Sequence, residues 1–233
     1  MPGAETSEPV PIIGATGALG FGLALRLAHA GRPVVIGSRS VERAGEAARR
    51  LREAAPGSEV EAAVNEEAAR RGPIVFLTVP FRAQSENLNN LRPALEPGQI
   101  LVDCTVPTAA AVSGKATRAL GVWQGSAAQQ AQEMVPDGVT VVAAMHTVSA
   151  EALRDTDAAL DEDILICGDR KADKARVARI VELVPRLRAV NAGPLETARI
   201  VEQLTPLLIS INARYGTRSG IRITGLPAGD PWE

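Results

Sequence analysis

The sequence predicts an α/β protein, a doubly wound and mostly parallel sheet with a smaller C-terminal helical portion, in a chain of 233 residues. Three observations predict it. Short apolar runs recur at residues 10–14, 34–37, 59–63, 74–79, 100–103 and 139–143. Segments of helical character separate them, as parallel strands joined by crossover helices require. The third observation is a glycine series, Gly14, Gly17 and Gly20, where the first run meets the first helical segment.

Taken in order, residues 1–9 (MPGAETSEP) are polar, acidic and proline-containing, and are expected to form a flexible tail. They lack the basic and apolar regions of a signal peptide. Residues 18–30 carry Leu19, Leu23 and Leu27 at helical spacing beside Gly20 and Ala24, small enough for close approach to a sheet, and Gly31 ends the segment. Residues 41–55 are rich in Ala, Arg and Glu, and Pro56-Gly57 marks their end. Residues 104–125 hold no sustained period, which predicts a functional loop. A helix is expected over 126–134, and AMHTVSAEAL (144–153) as a strand end, turn and short helix. Strands at 164–167 and 187–191 flank a helix at 170–184. The apolar residues Leu195, Ile200, Val201, Leu204, Leu207, Leu208 and Ile211 predict a long last helix over 194–215, kinked at Pro206.

Composition narrows the function. A formal net charge of -2, a pI near 5.8 and no long block of like charge give no sign of a nucleic-acid or membrane surface. No apolar run reaches membrane-spanning length, so a cytoplasmic protein is expected. Cys104 and Cys167 stand apart, without Cys-x-x-Cys and without metal-type spacing to His29 or His146. Both are expected to be packing residues, and no metal site is predicted.

The glycines point to a ligand. Gly14-x-x-Gly17-x-x-Gly20 follows a strand and opens a helix, the context in which such a series binds a dinucleotide. Glycine permits the tight turn and lets backbone approach a pyrophosphate, while exposed amides at the helix start, Ala18 and Leu19 among them, favour the anion. Thr16 adds a hydroxyl. The sheet is therefore expected to be of Rossmann type. At the end of the second strand, where NAD-binding proteins place an acid for the ribose hydroxyls, this chain reads Gly37-Ser38-Arg39-Ser40. A carboxylate would repel a 2′-phosphate, whereas a guanidinium pairs with it and serine donates a further bond. The expected nucleotide is NADP(H). Arg43, a turn further on, is either an added cation for it or a solvated helix residue.

Proton donors are scarce. The single tyrosine, Tyr215, precedes Gly-Thr-Arg-Ser and so lacks the Tyr-x-x-x-Lys pair of short-chain dehydrogenases. His29 is expected at the surface. His146 follows the strand VVAAMH at its carboxyl end, where ligands sit in open α/β sheets, and is either a ligand contact or a hydrogen-bonded structural residue. With no metal cluster and no clear acid/base pair in view, direct hydride movement between two aligned cofactors fits best.

Together GATGALGFGLALRLA, VVIGSRS, LTVPF, AAMHTVSA, CGD, NAGPLETARIVEQLTPLLISIN and SGIRI, spanning residues 10–223, resemble the NADPH-dependent coenzyme F420 reductases. That resemblance implies hydride passing reversibly between nicotinamide C4 and C5 of the 8-hydroxy-5-deazaflavin, usually in a homodimer, with small-molecule cofactors NADP and F420 as partners. It implies an NADP-binding Rossmann domain over 10–150 and a C-terminal portion over 151–233 completing the deazaflavin site. It carries the phosphate-loop role onto Gly14, Thr16, Gly17, Ala18, Leu19 and Gly20, and the 2′-phosphate role onto Ser38, Arg39 and Arg43. Val79 and Pro80 fall in the matching LTVPF stretch, and His146, Val148 and Ala150 fall where the family lines its deazaflavin pocket. Ser149 stands where relatives often carry proline, and Phe81 where some carry tryptophan. The residues alone leave two rivals, an NADP-dependent reductase of an imine, small carbonyl or ferric iron, and a non-catalytic NADP(H) sensor.

Overall fold

In the computed structural model, which describes residues 8–227 and Trp232, the first apolar run becomes Val10–Ile13 (β1), buried at every position. A strand apolar on both faces must be covered on both, and the rest of the chain supplies the covers. Ala18–His29 (α1), Val34–Ser38 (β2), Val41–Ala54 (α2), Val60–Val64 (β3), Asn65–Ala69 (α3), Ile74–Leu77 (β4), Gln84–Leu91 (α4) and Ile100–Asp103 (β5) follow in order. After a loop with one 3-10 turn at Ala109–Val112 come Ala127–Met134 (α5), Thr140–Ala143 (β6), Ala150–Arg154 (α6), Glu162–Cys167 (β7), Lys171–Val181 (α7), Leu187–Gly193 (β8) and Ala198–Tyr215 (α8).

The strands form one sheet in the order β3-β2-β1-β4-β5-β6-β7-β8. The pairings from β3 through to β6 are parallel, β6 meets β7 antiparallel through Ala143 and Cys167, and β7 pairs β8 in parallel. Chain order reverses between β1 and β4. That switch point opens a crevice at the strands' carboxyl ends, where open α/β sheets bind ligands.

Side-chain alternation divides the core into two layers. Ile12, Ile36, Phe76, Val102 and Val142 face one way, toward α1, α2, α6 and α7. Ile13, Val35, Leu77, Leu101 and Val141 face the other, toward α3, α4, α5 and α8. The site depends on how closely α1 can approach. A Cβ on Gly22 would lie 2.8 Å from that of Leu153, so glycine lets α1 rest on α6. Arg26, buried on α1, fastens the pair by donating to the carbonyls of Ala152, Leu153, Asp155 and Ala158 at the end of α6. These are the acceptors that a helix C-terminus leaves unpaired.

The elements read from sequence are present, their ends shifted by a few residues. α8 runs through Pro206 without interruption, and the 3-10 segment Leu195–Thr197 leads into it. Most of the expected N-terminal tail lies outside the described residues. Among the described residues, no helix is long and apolar enough to cross a membrane.

Candidate functional site

Two polar groups lie at the carboxyl ends of the strands. The first is the glycine loop. Gly14 has φ +80° and a Cβ there would stand 2.7 Å from Val79 Cγ1, so the turn excludes other residues twice over. The amides of Gly14 and Ala15 donate to Gly37 O, and Gly17 N–H donates to Gly14 O, which fixes the loop against β2. At Gly17 the only neighbour of an added Cβ is Gly14 O at 3.2 Å, so this glycine faces outward. Gly20 is different: a Cβ there would strike the Thr78 hydroxyl and come within 2.8 Å of Ala15 Cα. Its smallness serves packing.

Gly17 is also the N-cap of α1 and offers no side-chain acceptor, and the first turn carries no acid. The amides of Ala18 and Leu19 therefore present the positive end of the helix. Beside them, β2 ends in Ser38, buried, followed by Arg39, exposed. Ser40 caps α2 by accepting from the Arg43 N–H at 3.3 Å, which places Arg43 in the turn next to Arg39. Among the described residues, neither arginine is in an ion pair. One cleft is lined by Gly14, Thr16, Gly17, Ser38, Arg39, Arg43, Val79 and Pro80, so eight of the residues named from sequence converge.

Asn65, Thr78, Ala83 and Asn87 line the same cleft and went unnamed in the sequence reading. Asn65 Nδ2 donates to Asn87 Oδ1 at 3.1 Å, and Asn87 Nδ2 donates to Ala83 O, while the buried Asn65 Oδ1 has no partner. The Thr78 hydroxyl donates to Ile13 O at 2.8 Å and ties β4 to the glycine loop. The available signal was asparagine directly after the β3 run, a polar side chain at a strand's carboxyl end.

His146, Val148 and Ala150 do not line this cleft. His146 and Val148 are buried, 4% and 7% exposed, and the segment reaches the surface only at Ser149 and Ala150. The turn that buries His146 begins at Met145, whose φ of +67° is costly for a residue with a Cβ. Ser149 caps α6 by accepting from Ala152 N–H. The departure from proline thus supplies a helix cap.

The second polar group joins three titratable side chains that the sequence leaves far apart. Asp103 at the end of β5, His146 after β6 and Glu202 on α8 are all buried, and one ligand-type atom from each lies within 4.8 Å of the others. Sequence spacing missed them because three separate elements deliver them. Thr105 donates to Asp103 Oδ2 at 3.0 Å, and Gln84 Nε2 is shared among both Asp103 oxygens, Thr105 Oγ1 and Ala127 O. Glu202 accepts the Ala127 and Ala128 amides at the start of α5. Thr205 donates to His146 O. Among the described residues, neither ring nitrogen of His146 has a hydrogen-bond partner.

Burial sets the protonation of this group. It pushes the Asp103 carboxyl up to about 7 against the pull of Gln84 and Thr105, and Glu202 up to about 8 despite its amide donors. Desolvation takes the His146 imidazole down to about 4. Cys104, beside Asp103, and Cys167 are free and buried as expected, with thiols raised chiefly by burial, Cys167 to about 12. His29 is exposed.

Comparison with known proteins adds three observations. The family described as "NADP oxidoreductase coenzyme F420-dependent" matches residues 9–107. F420-dependent NADP reductases of Methanothermobacter marburgensis and Methanocaldococcus jannaschii are 41% and 38% identical to the chain over 222 residues. These alignments cover 94% and 93% of this chain and 99% and 98% of those proteins. A solved structure described as a candidate F420-dependent NADP reductase, from an Arthrobacter species, superposes with a TM-score of 0.70 at 24% identity, covering 91% of this chain and 96% of that one. At that identity the likeness speaks to the fold.

Proposed function

The chain belongs to the F420-dependent NADP reductases, and we propose that it transfers hydride reversibly between NADP(H) and coenzyme F420, with the cleft at the switch point holding NADP(H). NADP(H) supplies the hydride at C4 of its nicotinamide, and the deazaflavin of F420 exchanges it at C5. The residues present fit a phosphorylated dinucleotide: an outward-facing Gly17, uncapped amides at Ala18 and Leu19, and a hydroxyl at Thr16 suit the pyrophosphate. Ser38, Arg39 and Arg43 stand where a 2′-phosphate would meet two cations and no acid. That last juxtaposition carries the reading, since it accounts for NADP(H) in place of NAD(H).

The segment from His146 to Ala150 is assigned to the F420 side. Ser149 and Ala150 present a small surface there, with Val148 and His146 as buried backing. Residues 10–150 then serve as the NADP-binding portion, while residues 151–233 complete the F420 side. The protein's share of the chemistry is alignment: it must hold two ring systems in contact and keep water out. A cytoplasmic homodimer is part of the proposal. The exposed Ile200 and Leu207 on α8, 60% and 55% accessible, support an interface, and sedimentation equilibrium tests it.

The test of the activity is direct. Protein mixed with NADPH and oxidised F420 should bleach the deazaflavin's visible band at a rate proportional to enzyme. No bleaching, with imine, carbonyl or ferric acceptors reduced instead, would transfer the assignment to another reductase.

A further inference from the structure

We propose that Asp103, His146 and Glu202 form a binding site for one divalent first-row transition ion of the Zn²⁺ or Mn²⁺ type, buried where β5, β6 and α8 meet. The argument begins with what these side chains lack. His146 is 4% exposed and both of its ring nitrogens are without a partner, although a buried imidazole ordinarily makes at least one hydrogen bond. It lies beside two carboxyl groups. Gln84 Nε2 has two hydrogens and four acceptors in reach, so Asp103 holds only a share of them beside the Thr105 hydroxyl and backbone donors.

Spacing leaves room for an ion. Groups sharing a proton approach to about 2.5 to 3.0 Å, and His146 has made no such contact. Donor atoms arranged around an ion at about 2.0 to 2.2 Å stand roughly 3 to 4 Å apart, and three atoms already within 4.8 Å of one another can reach that spacing by small side-chain movements. Charge leads to the same end. Two buried carboxyl groups held this close cannot both ionise cheaply without a cation between them. One divalent ion neutralises the pair. Two carboxylates and an imidazole are the donor set of borderline divalent metals, with too few oxygens for calcium and no thiolate for copper(I).

The second shell is already in place. Glu202 is oriented by the Ala127 and Ala128 amides, Asp103 by Thr105 and Gln84, and the His146 carbonyl by Thr205. An ion here would pin α8 to the ends of β5 and β6.

Tag-free protein, stripped with chelator and titrated with Co²⁺ alone, tests the site without either cofactor, so failure of the F420 reading would not affect the result. One Co²⁺ per chain should bind with visible d–d absorption, and Zn²⁺ should displace it. Asp103→Asn and Glu202→Gln should each weaken binding by about 100-fold or more, beyond the loss typical of outer-shell changes, while His29→Gln changes nothing. The chain has two histidines, so imidazole ¹⁵N spectra of the unaltered protein give an answer even where a variant fails to fold. Zn²⁺ should move the His146 resonances and leave those of His29 in place. Substoichiometric binding, unchanged affinity in the carboxyl variants, or a silent His146 would each overturn the proposal.

Discussion

The cleft proposed to hold NADP(H) and the Asp103–His146–Glu202 cluster sit at the same edge of one sheet and solve opposite problems. The cleft is open, lined by backbone and by arginines that, among the described residues, form no ion pair, which suits the proposed anionic ligand. The cluster is closed, and among the described residues no salt bridge reaches either of its carboxyls. Solvent makes an unpaired arginine cheap at the surface, while burial makes an unpaired carboxylate expensive, so the same deficit is ordinary in one region and diagnostic in the other.

The sharpest break should come at Gly17. Gly17→Val is expected to abolish NADPH binding, a loss above 100-fold by isothermal titration, because the branched side chain occupies the pyrophosphate's approach. The fold should survive, since only Gly14 O stands near the new Cβ. Gly20→Val inverts the outcome: it drives into Thr78 and Ala15, and its Tm should collapse. Normal NADPH binding by a folded Gly17→Val protein would remove the phosphate-loop assignment.

Arg39→Ala comes next. A charged hydrogen bond is worth about 1.5 to 3 kcal/mol, so the Kd for NADPH should rise roughly 10- to 150-fold. NADH, with no 2′-phosphate, should bind almost as before. Equal losses for the two nucleotides would place Arg39 outside the site.

The cluster answers to pH. Asp103 and Glu202 titrate in the folded chain at about 7 and about 8, above their usual range, so the folded state holds more protons than the unfolded one as these groups ionise. Their contribution is present at low pH and is lost as pH rises through those values. His146, depressed to about 4, acts in reverse and removes stability as pH falls below its usual 6.5. Metal-free protein should therefore lose several degrees of Tm between about pH 6.5 and 8.5, and Glu202→Gln should flatten that slope. An unchanged slope in the variant would remove Glu202 from its cause.

The smallest effect belongs to the thiols. Cys104 and Cys167 are buried packing residues, so the Cys104→Ser, Cys167→Ser double variant should retain most of its activity in the NADPH and F420 assay. Complete loss in a folded double variant would mean that a thiol takes part in the reaction.

The two regions also differ in how much of them the sequence revealed. The cleft was legible because its parts lie within a few residues of strand ends: Gly14 to Gly20 after β1, Ser38 to Arg43 after β2. Local pattern and local chemistry coincide there. Asn65 and Asn87 were missed because each is an ordinary surface residue until β3 and α4 bring them together. The cluster was invisible for the same reason at longer range, as Asp103, His146 and Glu202 meet only once β5, β6 and α8 are assembled. His146 was singled out by its place after a strand, and its lack of partners required coordinates to see. The strands were read to within a few residues because each is apolar and bounded by glycine, proline or polar residues. Short α3 was overlooked because five residues are too few to show a period.

The central claim is that hydride passes directly between two cofactors that the protein aligns. NADPH carrying deuterium on one face of nicotinamide C4, and then on the other, tests it without reference to any single residue. The account predicts that one of the two labelled forms delivers its deuterium to C5 of F420, stereospecifically and without exchange into water, while the other delivers none. Label appearing in solvent, or delivered equally from both faces, would contradict it.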